Sequence, residues 1–358
     1  MSRVVVTGAT GNIGSSVVQA LCARGHQVVG VARRPPPGPT RATRGVEWST
    51  LDLAHPACEP LVRDVVSGAD AVVHLAWAFH PMRRPDRLER GCVDVLDTVA
   101  RSALGHSDAH LIHVSSVAVY SPRTTDARVD EHWPRDGIPG ANYSRLKVAA
   151  EQLLEERTAQ LRAPDRVAVL RPSLVGQYAA GGPMLRCGAP AWLPGGLLRH
   201  VPVVPVDDRF GLQMVHADDV ADAVVRVVEA GATGAFNLAA DRLVRGPDVA
   251  AALQARPVPV RQEAARAAMA ALWHTHLNPL DPGWVDMALQ APWVDTSRAR
   301  DVLGWEPLHT GLDVLEELVR GMADGAGGCE TGALRPRRVG DGLRRTLTRG
   351  TVARRVLT

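Results

Sequence analysis

The sequence contains few aromatic residues, a single lysine and almost no net charge. Aromatic residues make up 4% of the 358 residues, which argues against an aromatic platform for single-stranded nucleic acids. The 41 basic residues are nearly balanced by 38 acidic ones, and the net charge is +3. A chain that binds nucleic acid as its main function usually carries a clear basic excess. These shortages therefore argue against a nucleic-acid partner.

The chain also lacks paired cysteines and long apolar segments. Its cysteines are scattered and form no CxxC pair, so we expect reduced thiols and no metal site. Residues 4–23 carry no charge, but they contain too many glycines and polar residues for a transmembrane helix or a signal sequence. We therefore expect a soluble, cytoplasmic protein with no membrane span.

Short aliphatic runs alternate with helical patterns along the first half of the chain. Hydrophobic residues make up 46% of the sequence and charged residues 22%, as in ordinary globular proteins. Strands are predicted at residues 4–6, 28–31, 71–75, 111–114 and 167–170, and helices at 15–24, 88–103 and 144–157. This alternation predicts a parallel sheet with helices on both faces.

A glycine-rich turn follows the first predicted strand and opens the first predicted helix. It runs from Thr7 to Gly14 and reads TGATGNIG. Glycines permit a tight turn and let the backbone approach a pyrophosphate, while the start of the helix offers free N–H groups to it. The turn therefore predicts a dinucleotide-binding site.

The only lysine lies four residues after one of the three tyrosines. Tyr143 and Lys147 would share one face of a helix. Reduction of a carbonyl needs a proton donor at the developing alkoxide. A nearby ammonium lowers the high pKa of a tyrosine and makes it a better acid and base. The pair therefore predicts proton transfer coupled to hydride transfer.

These motifs and several others resemble, in order, those of the extended short-chain dehydrogenase/reductase family, also called NAD-dependent epimerases/dehydratases. The resemblance covers residues 3–322. The segments that carry it are TGATGNIG (7–14), Asp52-Leu53, HLA (74–76), SSVAVY (115–120), YSRLK (143–147), LRPS (170–173), VHADDV (215–220) and LGWEP (303–307).

The resemblance implies an α/β fold, with a Rossmann-type doubly wound parallel sheet and a smaller, mostly helical C-terminal substrate region. Residues 1–178 with 210–245 would form the NAD(P)-binding domain. Residues 179–209 with 246–322 would bind the substrate, a small molecule. Residues 323–358 would form a basic, flexible tail, either solvated or docked on a partner or acidic lipid. A homodimer is a further expectation from the family.

The resemblance also implies roles for individual residues. Ser116 would polarise the substrate oxygen, with Ser115 as the neighbouring alternative, Tyr143 would exchange the proton, and Lys147 would also hold the nicotinamide ribose. The implied dinucleotide contacts are Gly8, Thr10, Gly11, Asn12, Ile13, Gly14, Arg33, Arg34, Asp52, Leu53, Leu75, Ala76, Trp77, Tyr143, Lys147, Pro172 and Ser173.

The end of the second predicted strand bears on the choice of cofactor. NAD-preferring relatives carry an acidic residue there, which binds the adenosine ribose. This chain has Ala32 followed by Arg33 and Arg34. Because arginine pairs well with a phosphate, NADP(H) is favoured and NAD(H) is the alternative. The arginines could instead simply begin the proline-rich loop at 35–39.

Residues that are typical of some family members but missing from this chain reduce the number of reactions to be expected. Val117 and Ala118 stand where related dehydratases carry an acidic pair, so elimination of water is not expected. Leu212 stands where sugar-nucleotide epimerases commonly carry an arginine for the diphosphate, although Arg209 is nearby. Cys92 replaces the asparagine that usually follows the HLA segment.

Apolar residues form the expected substrate pocket, which suits a ketone, aldehyde or hydrophobic alcohol. The leading hypothesis is therefore an NAD(P)-dependent oxidoreductase, a reductase or dehydrogenase acting on the carbonyl or alcohol carbon of a small molecule. The alternatives are a sugar-nucleotide epimerase and a non-catalytic dinucleotide sensor. The candidate pocket residues are Trp77, Phe79, Trp192, Leu193 and Leu197.

Overall fold

A computed structural model describes residues 1–36, 38, 43–78, 85–189, 193–275, 278, 280–328, 333–338 and 340. The strands are β1 (Arg3–Thr7), β2 (Gln27–Ala32), β3 (Val46–Thr50), β4 (Ala71–His74), β5 (His110–Val114), β6 (Val167–Pro172), β7 (Leu174–Gly176), β8 (Val203–Val206), β9 (Gly211–Leu212), β10 (Met214–His216), β11 (Gly234–Leu238), β12 (Val244–Arg245) and β13 (Arg256–Pro259). The helices are α1 (Asn12–Ala23), α2 (Glu59–Val66), α3 (Pro85–Glu89), α4 (Val95–Gly105), α5 (Asn142–Gln160), α6 (Gly181–Gly188), α7 (Ala217–Ala230), α8 (Gly246–Ala252), α9 (Gln262–His274), α10 (Gly283–Gln290), α11 (Ser297–Leu303) and α12 (Gly311–Asp324).

Seven strands form the central sheet in the order β11-β6-β5-β4-β1-β2-β3. Every neighbouring pair in this sheet is parallel. The chain moves outward from β1 in both directions, so the crevice beyond the carboxyl ends of β1 and β4 is the switch point where such sheets bind ligands. This arrangement confirms the Rossmann-type α/β fold.

Helices cover both faces of the sheet because the side chains of each strand alternate between them. On β1, Val4 and Val6 pack into a core shared with α1, α7 and α11. Val5 lies on the opposite face, in a core shared with α2, α4 and α5. All three valines are fully buried, which explains why this strand is a continuous β-branched run.

Smaller elements lie beyond the carboxyl edge of the sheet. The short strands pair as β7 with β10, β9 with β12 and β8 with β13. Helices α9 and α10 contact one another, and α10 also contacts β9. Within the described residues, no helix combines the length and apolar character needed to cross a bilayer.

The C-terminal boundary differs from the sequence expectation, which began a flexible tail at residue 323. Helix α12 continues to Asp324, and the N–H of Arg337 donates to the carbonyl oxygen of Gly325 at 2.9 Å. Leu334 is 3% exposed and joins a core with α12. The expected boundary is therefore corrected, because residues 333–338 pack on the body. The remaining arginine-rich residues, 341–358, lie outside the described residues.

Candidate functional site

Three glycines shape the turn between β1 and α1. Gly8 has a φ of +69°, and a Cβ there would lie 2.8 Å from the backbone nitrogen of Ala76. A Cβ on Gly14 would lie 2.2 Å from the carbonyl oxygen of Gly8, and one on Gly11 would lie 3.0 Å from that atom. The turn is thus folded so tightly against β4 and α1 that side chains at these positions would collide with backbone.

The start of α1 fits the phosphates of a dinucleotide. Its N-cap is Gly11, no side chain caps it, and its first turn contains no acidic residue. The first N–H groups of a helix lack intrahelical partners and carry a partial positive charge, so they bind anions. The turn is held in place at its start and end. The hydroxyl of Thr7 accepts from the N–H of Ala76 at 3.3 Å, and Asn12 donates to Val175 at 3.1 Å.

Replacing Gly14 with alanine should weaken dinucleotide binding. The added Cβ would overlap the Gly8 carbonyl oxygen, and the free variant would relieve that overlap by changing the shape of the turn. Binding must then restore the strained shape, and overpacking of this kind costs about 1–3 kcal/mol. We expect the Kd for NADPH to rise about 5- to 140-fold in titration calorimetry. The control is Gly196→Ala, because a Cβ at Gly196 meets no atom within 4 Å. Unchanged affinity in the Gly14 variant would show that this turn does not hold the cofactor.

The far end of the crevice carries the two arginines that follow β2. Arg33 and Arg34 are exposed, and neither makes a hydrogen bond or ion pair with another described residue. Asp52, just after β3, is half-buried and accepts from the N–H of Ala54 at 3.1 Å. Leu53 packs against the core beneath it. Both guanidinium groups are therefore available to an anionic ligand.

Ser116, Tyr143 and Lys147 come together where β5 ends and α5 begins. The ammonium of Lys147 donates to the carbonyl oxygen of Val114, the last residue of β5, at 3.1 Å. The hydroxyl of Ser144 donates to the carbonyl oxygen of Ala118 at 2.6 Å and so ties α5 to the turn that follows Ser116. The Tyr143 hydroxyl forms a hydrogen bond with the side chain of Ser116.

Burial is the main influence on the protonation of Tyr143 and Lys147. It raises the pKa of Tyr143 to about 12, so the lowered pKa expected from the neighbouring ammonium is wrong, although the Ser116 hydrogen bond opposes the rise. It lowers the pKa of Lys147 to about 8, and the charge of Glu151 opposes that shift. At neutral pH Tyr143 therefore keeps its proton and Lys147 remains mostly charged.

The two adjacent serines differ in their contacts. The Ser116 hydroxyl forms a hydrogen bond with Tyr143, whereas the buried hydroxyl of Ser115 has no hydrogen-bond partner among the described residues. The geometry therefore favours Ser116 over Ser115 as the group beside the reacting oxygen.

Residues 75–77 connect the glycine turn to this group. Ala76 lies against Gly8, and the indole of Trp77 lies under the ammonium of Lys147, with Nζ 3.7 Å from the ring centroid. A cation this close to an indole face is stabilised electrostatically. The glycine turn and the Tyr143 group are therefore joined through residues 75–77 in one crevice.

A second tryptophan, which the sequence reasoning missed, also contacts Tyr143. The ring centroids of Tyr143 and Trp284 lie 5.5 Å apart at an angle of 31°. Trp77 approaches Tyr143 edge-on, at 6.3 Å and 78°. Trp284 lies more than a hundred residues along the chain, in α10, and no motif marks it.

A buried polar network supports the helix that carries Tyr143 and Lys147. Glu151, one turn beyond Lys147, accepts two hydrogen bonds from Arg171, at 3.0 and 2.7 Å. Arg171 also donates to the hydroxyl of Tyr120 at 2.9 Å, and that hydroxyl donates to Asn237 at 2.7 Å. Glu151 and Arg171 are each 3% exposed. The arginine and tyrosine of the LRPS and SSVAVY segments thus belong to the support of α5.

The remaining sequence-predicted residues have different surroundings. Pro172 and Ser173 are buried at the end of β6, and the Ser173 hydroxyl has no hydrogen-bond partner among the described residues. Thr10, Ile13 and Leu75 are half-buried around the glycine turn. In the expected pocket, Leu193 is half-buried and Leu197 is 47% exposed. Phe79 and Trp192 lie outside the described residues.

Two of the matched segments bind one another rather than the crevice. The indole N–H of Trp305 donates to the carbonyl oxygen of Asp219 at 2.8 Å. The Asp219 carboxylate accepts from the N–H of Leu308 at 3.0 Å and of His309 at 3.2 Å. The VHADDV and LGWEP segments therefore stabilise the packing of the C-terminal part of the chain on α7.

The sequence model of the NAD dependent epimerase/dehydratase family matches residues 4–239. Sterol demethylase protein B of Methylococcus capsulatus is 32% identical over 184 residues, which cover 48% of this chain and 55% of that protein. A 4-hydroxy-2-methyl-3-oxo-4-farnesyl-3,4-dihydroquinoline-1-oxide ketoreductase of Stigmatella aurantiaca is 28% identical over 152 residues, 42% of this chain and 45% of that protein. The chain spans about half the length of these two relatives.

Solved structures share the fold over most of the chain. The structure of UDP-glucose 4-epimerase of Thermotoga maritima with UDP-glucose superposes with a TM-score of 0.66 at 18% sequence identity. The superposition covers 89% of this chain and 98% of the epimerase chain. UDP-glucuronic acid 4-epimerase of Bacillus cereus, in complex with NAD, has a TM-score of 0.65 at 18% identity and the same coverage. At these identities the similarity establishes the fold alone.

Proposed function

The chain belongs to the NAD dependent epimerase/dehydratase family, and from that premise we propose that it is an NADP(H)-dependent reductase of a small carbonyl compound. The observation that carries the proposal is the single crevice in which the glycine turn, Trp77 and the Ser116–Tyr143–Lys147 group are joined. The ketoreductase from Stigmatella aurantiaca, which matches part of the chain, is consistent with this reaction class.

The residues fit a bound dinucleotide. The N–H groups at the start of α1 would hold the pyrophosphate, since the glycine turn leaves room for it. Lys147 would hold the nicotinamide ribose, and the unpartnered, buried hydroxyl of Ser173 lies at the strand end expected beside the nicotinamide. When bound, the cofactor supplies the hydride. The protein supplies its orientation and the proton.

Tyr143 would donate the proton to the carbonyl oxygen while the hydride reaches the carbonyl carbon. Its high pKa means that the proton is present at neutral pH. The charge of Lys147 would stabilise the phenolate that remains, and the Ser116 hydroxyl would stabilise the alkoxide as it forms. A general acid in this position typically contributes a rate factor of about 10² to 10⁴.

One observation argues against the epimerase alternative and one argues for it. Leu212 occupies the expected position of the diphosphate arginine, and Arg209 is paired with Asp207 through two contacts of 3.0 Å. However, the guanidinium groups of Arg123 and Arg245 lie against the Trp293 ring, 4.4 and 4.6 Å from its centroid. Arg245 pairs across the strands with Gly211, so positive charge is present beside Leu212.

A substrate scan separates the candidate functions. A reductase consumes NADPH with carbonyl compounds and forms one alcohol for each cofactor oxidised. An epimerase interconverts UDP-sugars with no net change in cofactor absorbance. If neither occurs while the dinucleotide still binds, the protein is a sensor and the proposed function is wrong.

The cofactor preference should depend on Arg33 and Arg34. A charge-assisted hydrogen bond to the 2′-phosphate contributes about 1.5–3 kcal/mol, so NADPH should bind about 10- to 150-fold more tightly than NADH. The double variant Arg33→Asp with Arg34→Ser should reverse this order, because aspartate repels the phosphate and accepts from free ribose hydroxyls. Both Kd values are measured at one salt concentration, since screening weakens exposed pairs. Tighter binding of NADH by the wild type would refute the preference.

A further inference from the structure

Three aromatic rings form one wall of the crevice around the proton donor. Trp284 lies at a 31° angle to the ring of Tyr143, and Trp77 approaches the same ring edge-on. Both centroid distances, 5.5 and 6.3 Å, lie within the range in which aromatic pairs attract. All three side chains are half-buried, in contrast to Trp293 and Trp305, which are core residues. The three rings are therefore partly accessible rather than sealed in the core.

The backbone is shaped to bring Trp284 to this place. A Cβ on Gly283 would lie 2.6 Å from the Cα of Ala141 and 2.6 Å from the carbonyl oxygen of Gly140. Only glycine allows α10 to approach the start of α5 so closely. The buried carboxylate of Asp286, in the same helix, accepts from Arg266 at 3.0 and 3.1 Å. The close approach at Gly283 thus brings Trp284 to Tyr143, and the Asp286–Arg266 pair ties α10 to α9.

The surroundings of the wall are mostly apolar. Ala118, Ile138 and Met287 form the buried cluster on which Tyr143 and Trp284 pack. Lys147 contributes the positive charge, and Arg266 is neutralised by Asp286. The wall offers indole and phenol faces, on which a flat conjugated ring can stack.

Resting on the proposed function, we infer that the substrate is a flat, conjugated carbonyl compound, an aryl ketone or aldehyde, and that Trp284 selects it by stacking. In the reaction its carbonyl carbon accepts a hydride from reduced nicotinamide, which is oxidised, and its oxygen accepts the proton of Tyr143. The products are an aryl carbinol and the oxidised cofactor. Trp284 is then the specificity-determining residue.

Two ketones of similar size test this inference. Acetophenone carries a flat phenyl ring, and cyclohexyl methyl ketone carries a puckered saturated ring in its place. The kcat/KM ratio of the two ketones is measured for the wild type, Trp284→Leu and Trp284→Phe, so that differences in intrinsic reactivity cancel between the enzymes. Stacking predicts that the ratio falls about 2- to 12-fold in Trp284→Leu and is largely kept in Trp284→Phe.

The outcomes separate this inference from the proposed function. If the wild type and Trp284→Leu reduce both ketones with the same ratio, the stacking role is wrong while the reductase function stands. If the wild type reduces no carbonyl compound, the proposed function itself fails. A binding measurement uses the slow Tyr143→Phe variant, so that oxidation of the alcohol by NADP⁺ does not interfere. 1-Phenylethanol should bind the NADP⁺ complex about 2- to 12-fold more tightly than 1-cyclohexylethanol, and equal binding would overturn the inference.

Discussion

The Tyr143→Phe variant should lose about 10² to 10⁴ in kcat while its affinity for NADPH changes little. Phenylalanine keeps the ring that packs between Trp77 and Trp284 and removes only the hydroxyl. That hydroxyl holds its proton at neutral pH because burial raises the pKa to about 12. Steady-state kinetics with NADPH and acetophenone measure the loss, and titration calorimetry measures the affinity.

A second tyrosine provides the control for this prediction. The hydroxyl of Tyr178 donates to Asp324 at 2.8 Å, and the residue is 40% exposed, at the junction of α12 with the turn before α6. Tyr178→Phe removes the same atom from a place without a role in the reaction, so kcat should stay within about twofold of wild type. Wild-type kcat in the Tyr143 variant would exclude Tyr143 as the proton donor.

The largest effect on stability is expected at Glu151. Replacing it with alanine leaves the buried guanidinium of Arg171 without its carboxylate partner. Removing one member of a buried ion pair costs about 3–5 kcal/mol of unfolding free energy. Denaturant unfolding at neutral pH measures this loss.

The double variant Glu151→Leu with Arg171→Met separates loss of the pair from loss of packing. It removes both charges and keeps apolar volume, so most of the stability should return. If the double variant is no more stable than Glu151→Ala, an unpaired charge is not the cause of the loss.

The same pair predicts a dependence on pH. Burial raises the pKa of Glu151, but the hydrogen bonds and charge of Arg171 outweigh it, and the net shift is downward. A carboxyl with a lowered pKa in the folded state stabilises the fold above its unfolded pKa of about 4.3, and this contribution disappears as the pH falls. The difference between wild type and Glu151→Gln should therefore shrink below about pH 4.

The sequence predicted the centre of the fold because its signals there are local. The β-branched run of β1, the glycine turn and the apolar pattern of α1 all point to the same structure. Strand β3 is absent from the predicted strands because its sequence, VEWST, is not an aliphatic run, although its alternation fits an edge strand. Its pairing depends on Gly30 of β2, where a Cβ would lie 2.7 Å from the Trp48 ring.

Other parts of the chain depend on contacts that the sequence does not reveal. The expected single helix at 88–103 is interrupted by a π-helical turn, Arg90–Asp94, which contains the buried Cys92. The glycine-rich segment after residue 176 includes α6, where a Cβ on Gly181 would lie 2.1 Å from the backbone of Gly321. Its glycines serve close helix packing rather than loop formation.

Some residues of the candidate site could likewise be predicted from the sequence, and others could not. Ser116, Tyr143 and Lys147 could be predicted because they occur in motifs, and the structure brings them together at the end of β5. Trp284 could not, because its contact with Tyr143 requires the close approach of Gly283 to Gly140, residues far apart in the chain.

The most direct test of the central claim is the transfer of deuterium from NADPH labelled at C4 of the nicotinamide. The protein is incubated with the two stereospecifically labelled forms of the cofactor, each with acetophenone, and the product is analysed by mass spectrometry. We expect 1-phenylethanol with one deuterium on the carbinol carbon from one of the two labelled forms, in an amount equal to the NADP⁺ formed. No alcohol from carbonyl probes, together with interconversion of a UDP-sugar at constant cofactor absorbance, would contradict the reductase function.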